Sequence, residues 1–565
     1  MIHSICKRLA GILLIVFTIG LFLPSGPVAA EDAEFPQKNA WSRVTPSVVW
    51  CGDTTQTVTI EVHILGRHDV AQAWVTNLGT SADEARAELF DDGTHGDAVS
   101  GDNVFTLGGV VLPCNPAYIN SNGWMSWWGF LRVQLKDGSS EANNYGIVGG
   151  LVDPKYKNTF AVHDYGNGLS ATAYAFFIVD DKHEVMSGYP VATVFCGTSN
   201  YQAYRKLYSV LPDDFDVALV TPGLQIVRPN DLAENVPYNV GVSNAVQHIG
   251  MAIRDNTAEF GSAGRLKSTV YESFGDIQIF DHEIGHTWGA ELGTSLGLLG
   301  NDPSSHHWNA LADMQGQMGS YYFNTSGAVG HFAYNGDGTW HLISNSDNEP
   351  YSPLELYMMG FIPPDEVPPV HILQSPNLTD PNHITAASYR TITIQNIMNA
   401  EGGTRLPSAA DSQKNFNVAY IVTQDTPYND SAYAFFSLAS YNLMTKDPPQ
   451  KNNMYAPFYW ATGGRGTLNT RLPVDVSDPV DLPGMPAPTP TAAPPVIPTT
   501  APPATKTSPA PQPSMAFPTS MAGATVVPAT PTKTSSNGSR CATAPVALVI
   551  AAVGLSLRPW RRKSN

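Results

Sequence analysis

One stretch, Phe280-Asp281-His282-Glu283-Ile284-Gly285-His286-Thr287-Trp288-Gly289, constrains this chain more than any other. Its apolar flanks, Ile284 and Trp288, follow an apolar-rich approach through Ile277, Ile279 and Phe280, which predicts a buried helix. His282 and His286 are four apart and so share one face of that helix, one turn above the other. Both imidazoles can then reach a single metal ion, with Glu283 beside them to hold a metal-bound water as general base. The plain alternative is a solvated helix with two surface histidines. The apolar flanks argue against it, and so do Gly285 and Gly289. A glycine costs roughly 1 kcal/mol relative to alanine inside a helix. Glycines make better sense there if backbone or metal approaches closely.

His282-Glu283-x-x-His286 resembles the signature of the zinc peptidases called zincins. The resemblance implies Zn2+ held by His282 and His286, a bound water brought to a pKa of ~7, and Glu283 as the catalytic base. A catalytic zinc normally takes three protein ligands plus water. In the metzincin group the helix ends at a glycine three residues after the second histidine, and the third ligand follows three later. Gly289 fits that pattern, but Leu292 stands where the ligand should be. The next candidates are His306 and His307, in Ser304-Ser305-His306-His307-Trp308. Downstream, Gln317-Met318-Gly319-Ser320-Tyr321-Tyr322 resembles the methionine turn that underlies the metal in metzincins. A His-Trp pair ahead of a Met-Gly turn, with a later Ser352-Pro353-Leu354-Glu355-Leu356-Tyr357-Met358-Met359-Gly360 segment, resembles a set of secreted bacterial proteins of this type. That resemblance selects His307 as third ligand, with His306 as its rival. Glu355 offers a third scheme, the gluzincin pattern, in which a downstream helix supplies a glutamate. Tyr321, Tyr322 and Tyr357 are candidates for stabilising an oxyanion, though each is more often a packed aromatic. His331 and His341 read as loop residues.

The expected fold class is multidomain: an immunoglobulin-like β-sandwich, an α+β zincin-like domain and a mixed C-terminal subdomain. Residues 1–30 read as a secretory signal peptide, with Lys7 and Arg8 ahead of the apolar run Leu9–Leu23 and a small-residue cleavage site at Val28-Ala29-Ala30. Residues 31–152 alternate as strands do, in Thr57–Ile64, Ala73–Val75 and Phe130–Leu135, and form the expected sandwich. Residues 153–380 are the expected zincin-like domain, with strands at Ala173–Val179, Phe215–Val220, His248–Ile253 and Ser268–Tyr271 and a helix over Tyr201–Leu211. The C-terminal subdomain is expected at 381–482, with strands at Thr391–Ile394 and Val418–Val422 and a helix over Ser431–Leu443. Residues 483–540 form a Pro/Thr-rich linker too poor in large apolar residues to build a core. The last segment, 541–565, joins Cys541, an apolar run Ala542–Leu557 and the basic Arg558, Arg561, Arg562 and Lys563. It resembles bacterial surface-sorting tails and reads equally as a membrane anchor. Either way the expected location is the extracellular face of the cell envelope.

Net charge is −18, which argues against nucleic acid as a partner; a protein or peptide substrate is what the zincin resemblance implies. Cys51 and Cys114, both in the strand-rich N-terminal region, are expected to pair, and Cys196 is left over as a buried structural cysteine. The acidic loop Asp91-Asp92-Gly93-Thr94-His95-Gly96-Asp97-Ala98-Val99-Ser100-Gly101-Asp102 resembles a loop common in bacterial surface β-sandwich modules. Asp91, Asp92, Asp97 and Asp102 are candidate Ca2+ ligands, and the alternative is a polar loop whose residues supply unusual backbone angles. The expectation for the whole chain is a secreted, surface-tethered zinc metallopeptidase. Its rivals are a non-catalytic adhesin on a zincin scaffold and a closed structural zinc site that uses both His306 and His307.

Overall fold

The computed structural model describes residues 40–482 apart from short internal stretches, of which 186–200, 225–237 and 447–456 are the longest. The expected signal peptide, linker, C-terminal tail and Cys196 lie outside the described residues. Strands dominate and helices are few. Among the described residues no helix is long and apolar enough to cross a membrane.

The N-terminal region contains β1 (Ala40–Thr45), β2 (Val48–Trp50), β3 (Val58–Ile64), β4 (Val70–Thr76), β5 (Ala87–Leu89), β6 (Val104–Val110), β7 (Trp124–Leu135) and β8 (Ser140–Val152). They form two sheets, ordered β1-β3-β6 and β2-β8-β7-β4-β5. Alternation decides which face is buried: Val58, Ile60, Val62 and Ile64 point inward along β3, and the residues between them are half-exposed. Ile60, Val62 and Phe105 of the first sheet share one core with Val75, Trp127, Leu131 and Ile147 of the second. Cys51 and Cys114 form a disulfide, with Cα atoms 5.3 Å apart, at the margin of this core.

Beyond it come β9 (His163–Gly166), β10 (Leu169–Ala171), β11 (Phe176–Val179), β12 (Val217–Thr221), β13 (Tyr238–Gly241), β14 (Ser243–Asn244), β15 (Arg254–Asp255), β16 (Ser268–Tyr271), β17 (Tyr322–Phe323), β18 (Val329–Tyr334), β19 (Trp340–Ser344), β20 (Val370–Asn377), β21 (Thr385–Ile392), β22 (Asn415–Gln424) and β23 (Thr467–Asn469). An eight-stranded sheet runs β13-β16-β12-β22-β11-β10-β9, with β23 paired to β22. Its middle strands β16, β12, β22 and β11 are parallel. Parallel strands are covered on both faces, which is why Val217-Ala218-Leu219-Val220-Thr221 is buried throughout. Because β22 lies between β12 and β11, the stretch 381–482 supplies the middle of this sheet and is not an appended subdomain. The run Val418–Val422 announces a buried strand, but nothing local says which strands it joins.

Two expected elements differ. His248–Ile253 is not a strand: the Asn244 amide donates to the Val246 and Ala252 carbonyls and ties the segment into a loop, leaving Ile253 60% exposed. Thr391–Ile394 is divided, because β21 ends at Ile392 and Thr393 caps the helix Ile394–Ala400 in a reciprocal arrangement with Asn396.

The two halves of the molecule share a core. The helix Asp430–Leu443 packs on β2, β7 and β8, and Val48, Trp124 and Val152 lie in the same cluster as Phe435 and Leu438. Adjacent glycines on β8 make this possible. A Cβ on Gly149 would meet Leu112 at 2.7 Å on the N-terminal side, and one on Gly150 would meet Leu224 at 2.7 Å and Phe435 at 3.0 Å on the other. A smaller lobe forms from the sheet β17-β18-β19 and the hairpin β20-β21 around Phe332, Trp340, Leu373 and Ile384. Gly150→Ala is expected to lower stability by about 1–3 kcal/mol through overpacking, read as a lower denaturant midpoint. An unchanged midpoint would mean that the two halves are not closely packed at β8.

Candidate metal centre

The helix Phe280–Gly285 carries His282, with Phe280 and Ile284 fully buried beneath it. It does not run on to Gly289 as the sequence suggests. His286 follows its last residue in a tighter turn, where the amides of His286, Thr287 and Trp288 bond to carbonyls three residues back at 3.2, 3.0 and 3.1 Å. The glycines make room for a side chain. A Cβ on Gly285 would lie 3.3 Å from Met318 Sδ, and one on Gly289 only 2.4 Å from Met318 Cε. Leu292, at the position where metzincins place their third ligand, is fully buried in the core.

His282, His286 and His307 converge, with ligand atoms all within 4.8 Å of one another. His282 Nε2 lies 3.2 Å from His286 Nε2 and 3.0 Å from His307 Nε2. Two explanations compete, histidine–histidine hydrogen bonds or a shared metal. His282 Nδ1 contacts the Gln317 carbonyl, which can only accept, so that nitrogen carries the proton. His282 Nε2 then has one in-plane lone pair, which cannot receive two donors well. A metal ion uses the lone pairs of all three rings. Tetrahedral bonds of 2.0–2.1 Å put ligand nitrogens about 3.3 Å apart, close to the separations seen. Burial lowers the pKa of His282, and lowers that of His286 well below the ordinary value, with His282 and His307 adding to the latter shift. Both rings are therefore held neutral, the form that binds metal. The residues present fit zinc.

Glu355 is not a ligand. Its carboxylate accepts from Trp308 Nε1 at 3.0 Å and the Met318 amide at 2.8 Å, and from the amides of Gln317 and Ser352 at 3.2 and 2.7 Å. It thus ties together the residue after His307, the turn at Met318, and the residue whose carbonyl orients His282. Burial pushes the acid up to about 6 against the pull of those bonds. His306 turns away: its Nδ1 pairs with Glu291 at 3.0 Å, and its side chain is 53% exposed. Tyr357 is engaged elsewhere, its hydroxyl receiving the Arg405 amide at 2.9 Å. Tyr321 and the side chain of Tyr322 lie outside the described residues. His331 is a buried residue of β18 rather than a loop residue.

Glu283, between His282 and His286 in the sequence, is buried, and burial pushes its carboxyl up to about 8. Neighbouring Asp281 is also buried, with no hydrogen-bond partner on either carboxylate oxygen, while the Tyr351 hydroxyl donates to its carbonyl. Nothing in the sequence marks Asp281 or Tyr351, because their surroundings come from distant segments. In the acidic loop, Asp91, Asp97 and Asp102 come together but Asp92 does not. Asp92 accepts from the amide and hydroxyl of Thr94, a local turn that takes it out of the group. Asp91 receives the amides of Gly101, Asp102 and Asn103, and Asp97 those of Gly93 and Val99. The loop's own backbone accounts for these bonds without an ion.

His307→Ala is expected to lower zinc affinity at least tenfold, and His306→Ala to leave it within about twofold, by competition with a chromophoric chelator. Glu355→Gln should weaken zinc binding by about 10–100-fold while leaving all three histidines in place. An empty site in His306→Ala alone would move the ligand by one residue. Compared with protein-family models, characterised proteins and solved structures, the chain matches none, so its functional reading stands on these side chains.

Proposed function

We propose that the chain is a zinc metallopeptidase in which His282, His286 and His307 hold the metal and Glu283 is the catalytic base. The observation that carries this reading is the convergence of three imidazoles with a buried carboxyl one residue from the first. Zinc bound there would supply Lewis acidity and make water acidic enough to attack at neutral pH. Glu283 takes the proton of the attacking water and delivers it to the leaving amine. Met318 packs closely against Gly285 and Gly289, beneath the histidine segment.

An open site is favoured over a closed structural one. Among the described residues only three histidines gather there, and His306 is paired with Glu291 instead of filling a fourth position. The finer fold reading also belongs to this proposal: a zincin-like unit around the eight-stranded sheet and an immunoglobulin-like β-sandwich before it. The two N-terminal sheets with their common core support the second part. Secretion by the signal segment and tethering by residues 541–565 to the cell envelope complete the proposal. Ca2+ bound by Asp91, Asp97 and Asp102 would serve that loop's stability, not the chemistry.

Glu283→Gln is expected to retain zinc and the native fold while losing about 10²–10⁴-fold in hydrolysis of an unfolded protein substrate. Undiminished hydrolysis would remove Glu283 from the mechanism. A loss of zinc would make it part of the binding site.

A further inference from the structure

The metal centre leaves one group of chemistry-bearing side chains unused. In the lobe of β18 to β21, the carboxylate of Asp313 receives Trp340 Nε1 at 2.9 Å, His371 Nδ1 at 2.7 Å and the His371 amide. Asp313 is only 3% exposed, and its Oδ1 and Oδ2 are both engaged. A carboxylate accepts, so His371 Nδ1 carries a proton, and Nε2 is the remaining polar atom of the ring, held in one direction. The imidazole is 12% exposed.

Two tyrosines flank it. Tyr334 and Tyr389 are 41% and 47% exposed, and their ring centroids lie 4.7 and 5.4 Å from that of His371. Trp340, fully buried, supports both at 5.4 and 5.1 Å. The arrangement is set before any ligand arrives. Tyr334 Oη receives the Gly338 amide at 3.1 Å, and the turn between β18 and β19 is closed by Asn335 and Thr339 and tied to the Asn382 carbonyl. Fixed rings with fixed polar atoms lose little freedom on binding.

The geometry narrows the ligand class. Rings this close touch one another, so they leave no cage for an ammonium ion. Asp313, the nearest charge, is already fully bonded. The net charge of −18 disfavours a phosphate-bearing ligand. What fits is a neutral molecule with an apolar face for the tyrosine rings and hydroxyls, which can donate or accept, for His371 Nε2. We propose that Tyr334, His371 and Tyr389, braced by Trp340 and Asp313, form a binding site for a neutral sugar ring. The site goes beyond the peptidase reading and does not depend on it: it would hold the protein against glycan, whatever the metal centre does.

The test is binding of the full, zinc-loaded chain to immobilised chitotriose, cellotriose, maltotriose and mannotriose, with decaproline as a peptide control. Retention on at least one trisaccharide is expected, weakened roughly tenfold or more in Tyr389→Ala and in Tyr334→Ala. Zinc content and circular dichroism should stay unchanged, since both side chains are exposed. His371→Gln should weaken retention without removing it. No retention on any of the sugars, or retention that both tyrosine variants preserve, overturns the proposal. Capture by decaproline alone, lost in the same variants, would overturn it in favour of a peptide site.

Discussion

The buried carboxylate of Glu355 is the interaction on which the proposed metal centre depends. Taking a carboxylate out of water costs several kcal/mol even after relaxation, so it survives only with donors around it. Four surround it: an indole and three backbone amides. They do not fully offset the desolvation, because the acid still titrates at about 6, above its usual range. Its role is therefore better seen in position than in stability. It fixes the indole next to His307, the turn that puts Met318 under the helix, and the peptide whose carbonyl sets the His282 tautomer. The three proposed ligands, two on the helix segment and one from His307, are brought into register by one side chain that touches none of them.

The half of the site that is local was legible in the sequence. His282, Glu283 and His286 lie within one turn, so spacing alone puts them together, whereas Gly285 and Gly289 make room for a side chain and not for the backbone or metal expected of them. The approaching group is Met318, reached through the fold. The third ligand is nonlocal and could be chosen only by resemblance. The coordinates bring His307, not His306, to the other two. Glu355 shows why a sequence motif can mislead. Ser352 and Glu355 form a capping box at a helix start, and that bond is present. The same carboxylate's other three bonds reach residues 37 to 47 positions away, which no local pattern reveals.

The fold shows the same division. Alternating strands such as β3 were readable because one face meets a core and the other meets water. The fully apolar β22 was readable as a strand but not as a neighbour of β12 and β11. Pairing it there closes a loop of nearly two hundred residues, so the metal-bearing segment is enclosed between early and late strands of one sheet. The N-terminal sheets join the same body at the adjacent Gly149 and Gly150 of β8. Support for the candidate centre thus comes from most of the described chain.

The most direct test of the account is the zinc K-edge X-ray absorption spectrum of the purified chain, with metal content measured on the same sample. The account predicts one zinc per chain, with a first shell of three imidazole nitrogens and one oxygen at about 2.0–2.1 Å. A preparation that takes up no stoichiometric zinc, or a shell of four protein nitrogens with no oxygen, would contradict it.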